Sequence, residues 1–331
     1  MPRLASLDRL RAAALTLMLL QHFTKWLAGD PRHILPGWEG FAFTDVCAPA
    51  FAAAAGASAW LFAEGRLLRG DSTPRVIGTV ARRYLLLIPI GILLQTLAAH
   101  TPWDWGVLQT LGAGVFITVL LTRLAPPLPL AVLALVTGPI IEQHFVGRPG
   151  YIAEMLGSTF PVVTYAGFAL VGAAGARLLV RNPDRGKQAL VAGLLLVELA
   201  LVLGQAPDRY PGDVSFIVPG LAGTLLLFGI VDRWNALPQS LGSHTLGIFL
   251  AHYVAFYAIN RFGLRHTFSP LSAVLVGVLA ITFFAVVAPH VPPLPWSPRT
   301  GRRRRPEPAV QNRVASSAAY RATTASVAAV R

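Results

Sequence analysis

The sequence predicts an all-α, polytopic integral membrane protein of about ten transmembrane helices, and three observations predict it. The 331 residues are 54% hydrophobic and only 13% charged, where a soluble domain carries about 25% charged residues. Mean hydropathy is +0.57. The apolar residues gather into repeated runs close to the roughly 20 that a helix needs to cross a bilayer, with Pro, Gly and Arg between them.

The runs follow in order. The first, 9–28, carries Arg11 at its start and His22 near its far end. Its basic N-terminal flank imitates a signal peptide, but the pattern continues as a polytopic one and no small-residue cleavage site follows. The second run, 45–63, opens on Asp45, an acid that suits a helix N-terminus. The third, 83–100, is opened by Arg82 and Arg83 and closed by Pro102, and the fourth is 105–122. The fifth, 127–142, is short and holds Pro127 and Pro139. Runs at 162–180, 188–205 and 214–232 follow breaks at Pro149, Pro183 and Pro211, the run at 239–260 follows Pro238, and the last is 270–288. After about residue 297 the chain becomes basic and rich in Ala, Ser and Thr. It lacks a continuous apolar face and reads as disordered. The expected organisation is therefore a transmembrane domain over 1–296 and a disordered basic cytoplasmic tail over 297–331.

Charge orients this arrangement. With the N-terminus in the cytoplasm, 14 of the 28 Lys and Arg fall on cytoplasmic segments, 6 on outer loops and 8 in the tail. That is the bias the positive-inside rule requires, and an even helix count places both termini in the cytoplasm. The net charge of +13 is then a topology signal. No aromatic-basic platform accompanies it, so no nucleic-acid partner is expected; the partner is the lipid itself. Cys47 is the single cysteine, which excludes an intramolecular disulfide and a cysteine-based metal site.

Ionisable groups inside apolar runs are expensive and are functional candidates. Arg11 and His22 stand eleven residues apart, about 16 Å along one helical face. His22 reads either as an interhelical hydrogen-bonding group or as a general base, since imidazole accepts a proton near neutral pH. His33, in the first outer loop, reads as a solvated residue or a second base candidate. Asp45 reads as a helix cap and as an orienting partner for a nearby imidazole. Arg82 and Arg83, with Arg66, Arg69 and Arg75 before them, satisfy the topology bias. They also suit an anionic cytosolic donor such as coenzyme A, because guanidinium forks bind phosphate. Glu198, in LLLVELALVL, reads as an interhelical hydrogen-bonding group. His244 and His252 share a helical face but lack a third ligand, so no metal is expected.

Several of these residues carry a resemblance. LDRLRAAALTLM at 7–18, WEGFAFTD at 38–45 and PAFAAAAGAS at 49–58 resemble the heparan-α-glucosaminide N-acetyltransferase family, part of the wider group of transmembrane acyltransferases. Weaker echoes are VLQTLG at 107–112, YAGFALVGAAGARLL at 165–179, SLGSHTLGIFLAHY at 240–253 and PPLPW at 292–296. The resemblance implies acyl transfer from cytosolic acetyl-CoA or another acyl-CoA to a hydroxyl or amine of an extracytoplasmic glycan or glycolipid. In the animal members the catalytic histidine precedes the W-x-G…D segment, and His33 matches it. In the related acyltransferase-3 group it lies on helix 1 after a paired Arg, and His22 with Arg11 matches that. The resemblance therefore implies His22 or His33 as catalytic, with Asp45 assisting, and Arg11, Arg82 and Arg83 at the donor. Ala12 stands where the family has Gly, and Thr110 where it has Arg. A homodimer is compatible with such a chain, and in a bacterium the location would be the plasma membrane. The alternative is a proton-coupled secondary transporter or flippase working through His22 and Glu198, although the paired broken helices and repeat symmetry of transporters are not visible. A non-catalytic membrane scaffold is the third reading.

Overall fold

Small residues determine how this bundle closes. The computed structural model describes residues 5–30, 34–35, 37–38, 41–99, 104–179, 184–203, 214–234, 237 and 239–291. The expected tail and His33 lie outside the described residues. Within them, α1 (Ala5–Leu27) leads through a hairpin of β1 (Gly37–Trp38) and β2 (Phe41–Ala42) and a 3₁₀ turn (Phe43–Val46) into α2 (Cys47–Leu67). Then come α3 (Thr73–Tyr84), α4 (Leu87–Ala99), α5 (Val107–Leu121), α6 (Pro127–Phe145), α7 (Tyr151–Gly157) and α8 (Val162–Leu179). The last are α9 (Arg185–Leu203), α10 (Val214–Trp234), α11 (Gln239–Ser243), α12 (Thr245–Arg261) and α13 (Pro270–Val287).

All ten apolar runs are helical, and the class is all-α. Six stretches among the described residues are long and apolar enough to cross a membrane, or seven if α7 and α8, bent by 47°, form one span. The count of ten spans is thus not established. The 23-residue α1 is not among the six, because Asp8, Arg9, Arg11, Gln21, His22 and Lys25 dilute its apolarity. Its place in the fold explains why that is tolerated. It is the hub, packed by α2, α10, α11, α12 and α13, with Leu10, Ala12, Ala14, Leu15 and Leu19 buried. Asp8, Gln21 and Thr24 on it are buried in protein, while Lys25 is exposed. In contrast α4, α6, α9 and α13 turn rows of Leu, Val and Ile outward.

Close backbone contacts at glycines fix the bundle around α1. A Cβ on Gly56 of α2 would lie 2.0 Å from the Ala169 carbonyl of α8, and one on Gly172 of α8 would lie 1.9 Å from the Ala53 carbonyl of α2. The two helices cross with backbones nearly touching, which only small residues allow. Likewise a Cβ on Gly242 of α11 would lie 1.8 Å from the Asp8 carbonyl, so α11 seats against the start of α1.

The structure corrects the sequence reading in three places. The third run starts earlier, at Thr73, and breaks between α3 and α4 at 85–86. The ninth breaks at His244, whose ring contacts the Ser240 carbonyl at 2.8 Å and the Val291 carbonyl at 2.9 Å. Glu198 lies exposed on the outer side of α9, and not between helices.

Candidate active site

The site is built where α1 ends. The loop between α12 and α13 covers that end, the His266 and Phe268 amides donating to the Trp26 and Leu27 carbonyls at 3.1 Å each. His22, one turn before Trp26, is half-buried and its Nδ1 lies 3.1 Å from Nε2 of His252 on α12. His252 is fully buried, and its Nδ1 is hydrogen-bonded to the Phe249 carbonyl. The Trp26 ring runs nearly parallel to the His252 ring, centroids 5.6 Å apart, and stacks on Phe256 at 4.5 Å. The imidazole pair is therefore walled by aromatic rings.

Beside His22, Gln21 faces α2. Its Nε2 donates to Asp45 Oδ1 at 2.5 Å, and its Oε1 accepts from Cys47 Sγ at 3.5 Å. Asp45 Oδ2 accepts the Ala42 amide at 2.9 Å. Asp45 is not the N-cap itself: it is the third residue of the 3₁₀ turn that opens α2 and reaches back to the amide of the N-cap Ala42, and the same carboxylate ties α2 to α1 through Gln21. Gln21, which donates in this tie, is the residue next to His22 on α1.

The arginines lie apart from the imidazole pair, in two places. Arg11 donates from Nη1 to the buried Asp8 at 3.0 Å. Arg83 lies over the rings of Phe62 at 5.8 Å and Tyr84 at 5.9 Å, while Arg82 is exposed at the end of α3. Nearby, Arg66 donates to Asp71 at 2.5 Å and Arg123 to Glu64 at 2.5 Å. The Arg66 hydrogen bond holds the Asp71 carboxyl below its ordinary range, and Arg75 and Arg69 add to this. Thr110, standing where an Arg is expected, is buried and accepts from Trp105 Nε1 at 2.6 Å while donating to the Phe160 carbonyl. A guanidinium would not fit that short bridge.

Sequence reasoning passed over Gln21, which carries no charge and so gave no signal. His252 was visible only as a weak companion of His244, eight residues away. Among the described residues no cluster of three potential metal ligands is found.

Fold and site together define a multi-pass helical membrane protein that keeps a histidine pair inside its bundle. The family described as "Heparan-alpha-glucosaminide N-acetyltransferase, catalytic" matches residues 3–207, and the chain belongs to that family. Among curated proteins, the human heparan-alpha-glucosaminide N-acetyltransferase is 35% identical over 136 residues, which is 39% of this chain and 20% of the human protein. The match thus spans about a fifth of that relative's length.

Proposed function

We propose that this chain is a membrane acetyltransferase that moves the acetyl group of acetyl-CoA from the cytoplasmic side to an amine or hydroxyl of a glycan or glycolipid on the other side. Family membership supports the reaction class. The observation that carries the site assignment is His22, an imidazole held against a second imidazole inside the bundle. The acceptor N–H or O–H gives its proton to the base as its N or O attacks the thioester carbonyl, and the C–S bond breaks to release CoA. His22 is the base in this reading and His33 the second candidate. Asp45 acts through Gln21 to hold α1 and α2 in register. Arg82 and Arg83 receive the CoA phosphates, and Arg11, about 16 Å from His22 along α1, helps to orient the donor. The transmembrane unit is 1–296, and 297–331 is a cytoplasmic tail whose arginines meet anionic headgroups.

The test uses detergent-purified protein and acetyl-CoA labelled in its acetyl group, with CoA release and labelling of protein or added glycan as readouts. Wild type is expected to turn over, and His22→Ala to lose about a hundredfold or more in rate, the range for a general base. Loss in His33→Ala with retention in His22→Ala moves the base to His33. No turnover, labelling or acetyl-CoA binding in folded wild type overturns the reading.

A further inference from the structure

We infer that His252 is a positioning residue that fixes the tautomer of His22 and so selects which of its nitrogens takes the acceptor proton. The inference rests on His22 acting as the base, and it adds a residue beyond the 3–207 segment that the family match covers.

The argument is one of donors and acceptors. A carbonyl oxygen only accepts, so the contact between His252 Nδ1 and the Phe249 carbonyl requires a hydrogen on Nδ1. A neutral imidazole carries one N–H and one lone pair. His252 Nε2 therefore holds the lone pair and accepts. The atom facing it at 3.1 Å is His22 Nδ1, which must then be the N–H donor. By the same rule the lone pair of His22 is on Nε2. Ring geometry supports an in-plane bond. The two planes differ by only 16° and the centroids are 5.2 Å apart, the N···N distance plus two imidazole radii. The rings meet edge to edge, as an N–H···N bond requires, and not face to face.

The surroundings hold this chain of contacts in one direction. His252 is fully buried. Trp26, Phe249 and Tyr253 surround its ring at centroid distances of 5.6, 4.8 and 4.7 Å, so it has no room to flip away from the Phe249 carbonyl. Neutral histidine in water favours the opposite tautomer, with hydrogen on Nε2. His252 reverses that preference at His22. When the acceptor gives up its proton, His22 Nε2 receives it, Nδ1–H stays in place, and His252 Nε2 stabilises the imidazolium as its acceptor. No proton passes to His252.

The experiment reads the tautomer directly. Protein labelled with ¹⁵N-histidine is studied by NMR in detergent, and the His22 ring signals are assigned by their loss in His22→Ala. Wild type is expected to show a protonated Nδ1 and a bare Nε2 on His22. His252→Leu is expected to move the hydrogen to Nε2 and to lower kcat about tenfold or more, with KM for acetyl-CoA within about twofold of wild type. His252→Gln, whose amide oxygen can stand at the place of Nε2, is expected to keep the wild-type tautomer and recover most of kcat. A bare Nδ1 on His22 in wild type overturns the proposal, as does an unchanged tautomer or unchanged kcat in folded His252→Leu. If that variant does not fold, the wild-type and His252→Gln spectra decide. The spectra need no turnover. Full activity in His22→Ala would overturn the base assignment whatever the tautomer.

Discussion

Gln21 gives the clearest case at the scale of one residue. It is buried, uncharged and next to His22, and it joins the carboxylate of Asp45 to the thiol of Cys47. Gln21→Leu removes a donor from a buried carboxylate, a loss of about 1–3 kcal/mol. The expected result is a lower Tm in detergent, measured by static light scattering or a thiol-reactive dye at Cys47. Thr16→Ala is the comparison. Its hydroxyl bonds only back to the Ala12 carbonyl within the same helix, and its removal is expected to leave Tm nearly unchanged. At this scale the sequence was informative where a residue was costly in an apolar run. His22, Arg11 and Asp45 were all recognisable from type and position. The partners were not. His22 and His252 are separated by 230 positions, and no local spacing reports such a pairing. Glu198 shows the converse error, because an acid in an apolar run says that something must satisfy it but not which side of the helix it occupies.

At the scale of elements, the crossing of α2 and α8 brings two backbones together at two glycines. The motifs PAFAAAAGAS and YAGFALVGAAGARLL were visible as separate echoes of a family. The structure shows that they are the two halves of one contact, Gly56 on Ala169 and Gly172 on Ala53. Gly56→Leu or Gly172→Leu would drive a side chain into a backbone carbonyl, and overpacking of this kind costs about 1–3 kcal/mol or more. Both variants are expected to aggregate or to elute early on size exclusion. Gly175→Ala on the same helix meets nothing within 4 Å and is expected to behave like wild type. Helix existence was legible from apolar runs, while helix breaks were not. In YLLLIPIG the one mark of the interruption at 85–86 is Pro89, which cannot donate to the Leu85 carbonyl, and the break at His244 depends on carbonyl contacts that come from α11 and Val291.

For the whole molecule, the two ends of the bundle differ in charge. One end gathers Arg66, Arg75, Arg83 and Arg123 with Glu64 and Asp71, and the other carries His22 beneath the loop between α12 and α13. The positive-inside bias predicts that the first end faces the cytoplasm. In a Cys47→Ser background, Ser72→Cys and Arg265→Cys, both exposed positions, are expected to react with an impermeant maleimide from opposite sides of the membrane. Reaction from the same side would mean that the number of spans between them is even. The length of chain between the two imidazoles also has a consequence for biosynthesis. A ribosome completes α1 early, yet the imidazole that faces His22 and the loop that covers Trp26 are made more than two hundred codons later. Until α12 has entered the bilayer the nascent protein holds His22 without the imidazole that faces it. Under the proposed roles, an incomplete chain stalled in the insertion machinery would work slowly, and a rise in activity would mark the moment at which α12 docks against α1.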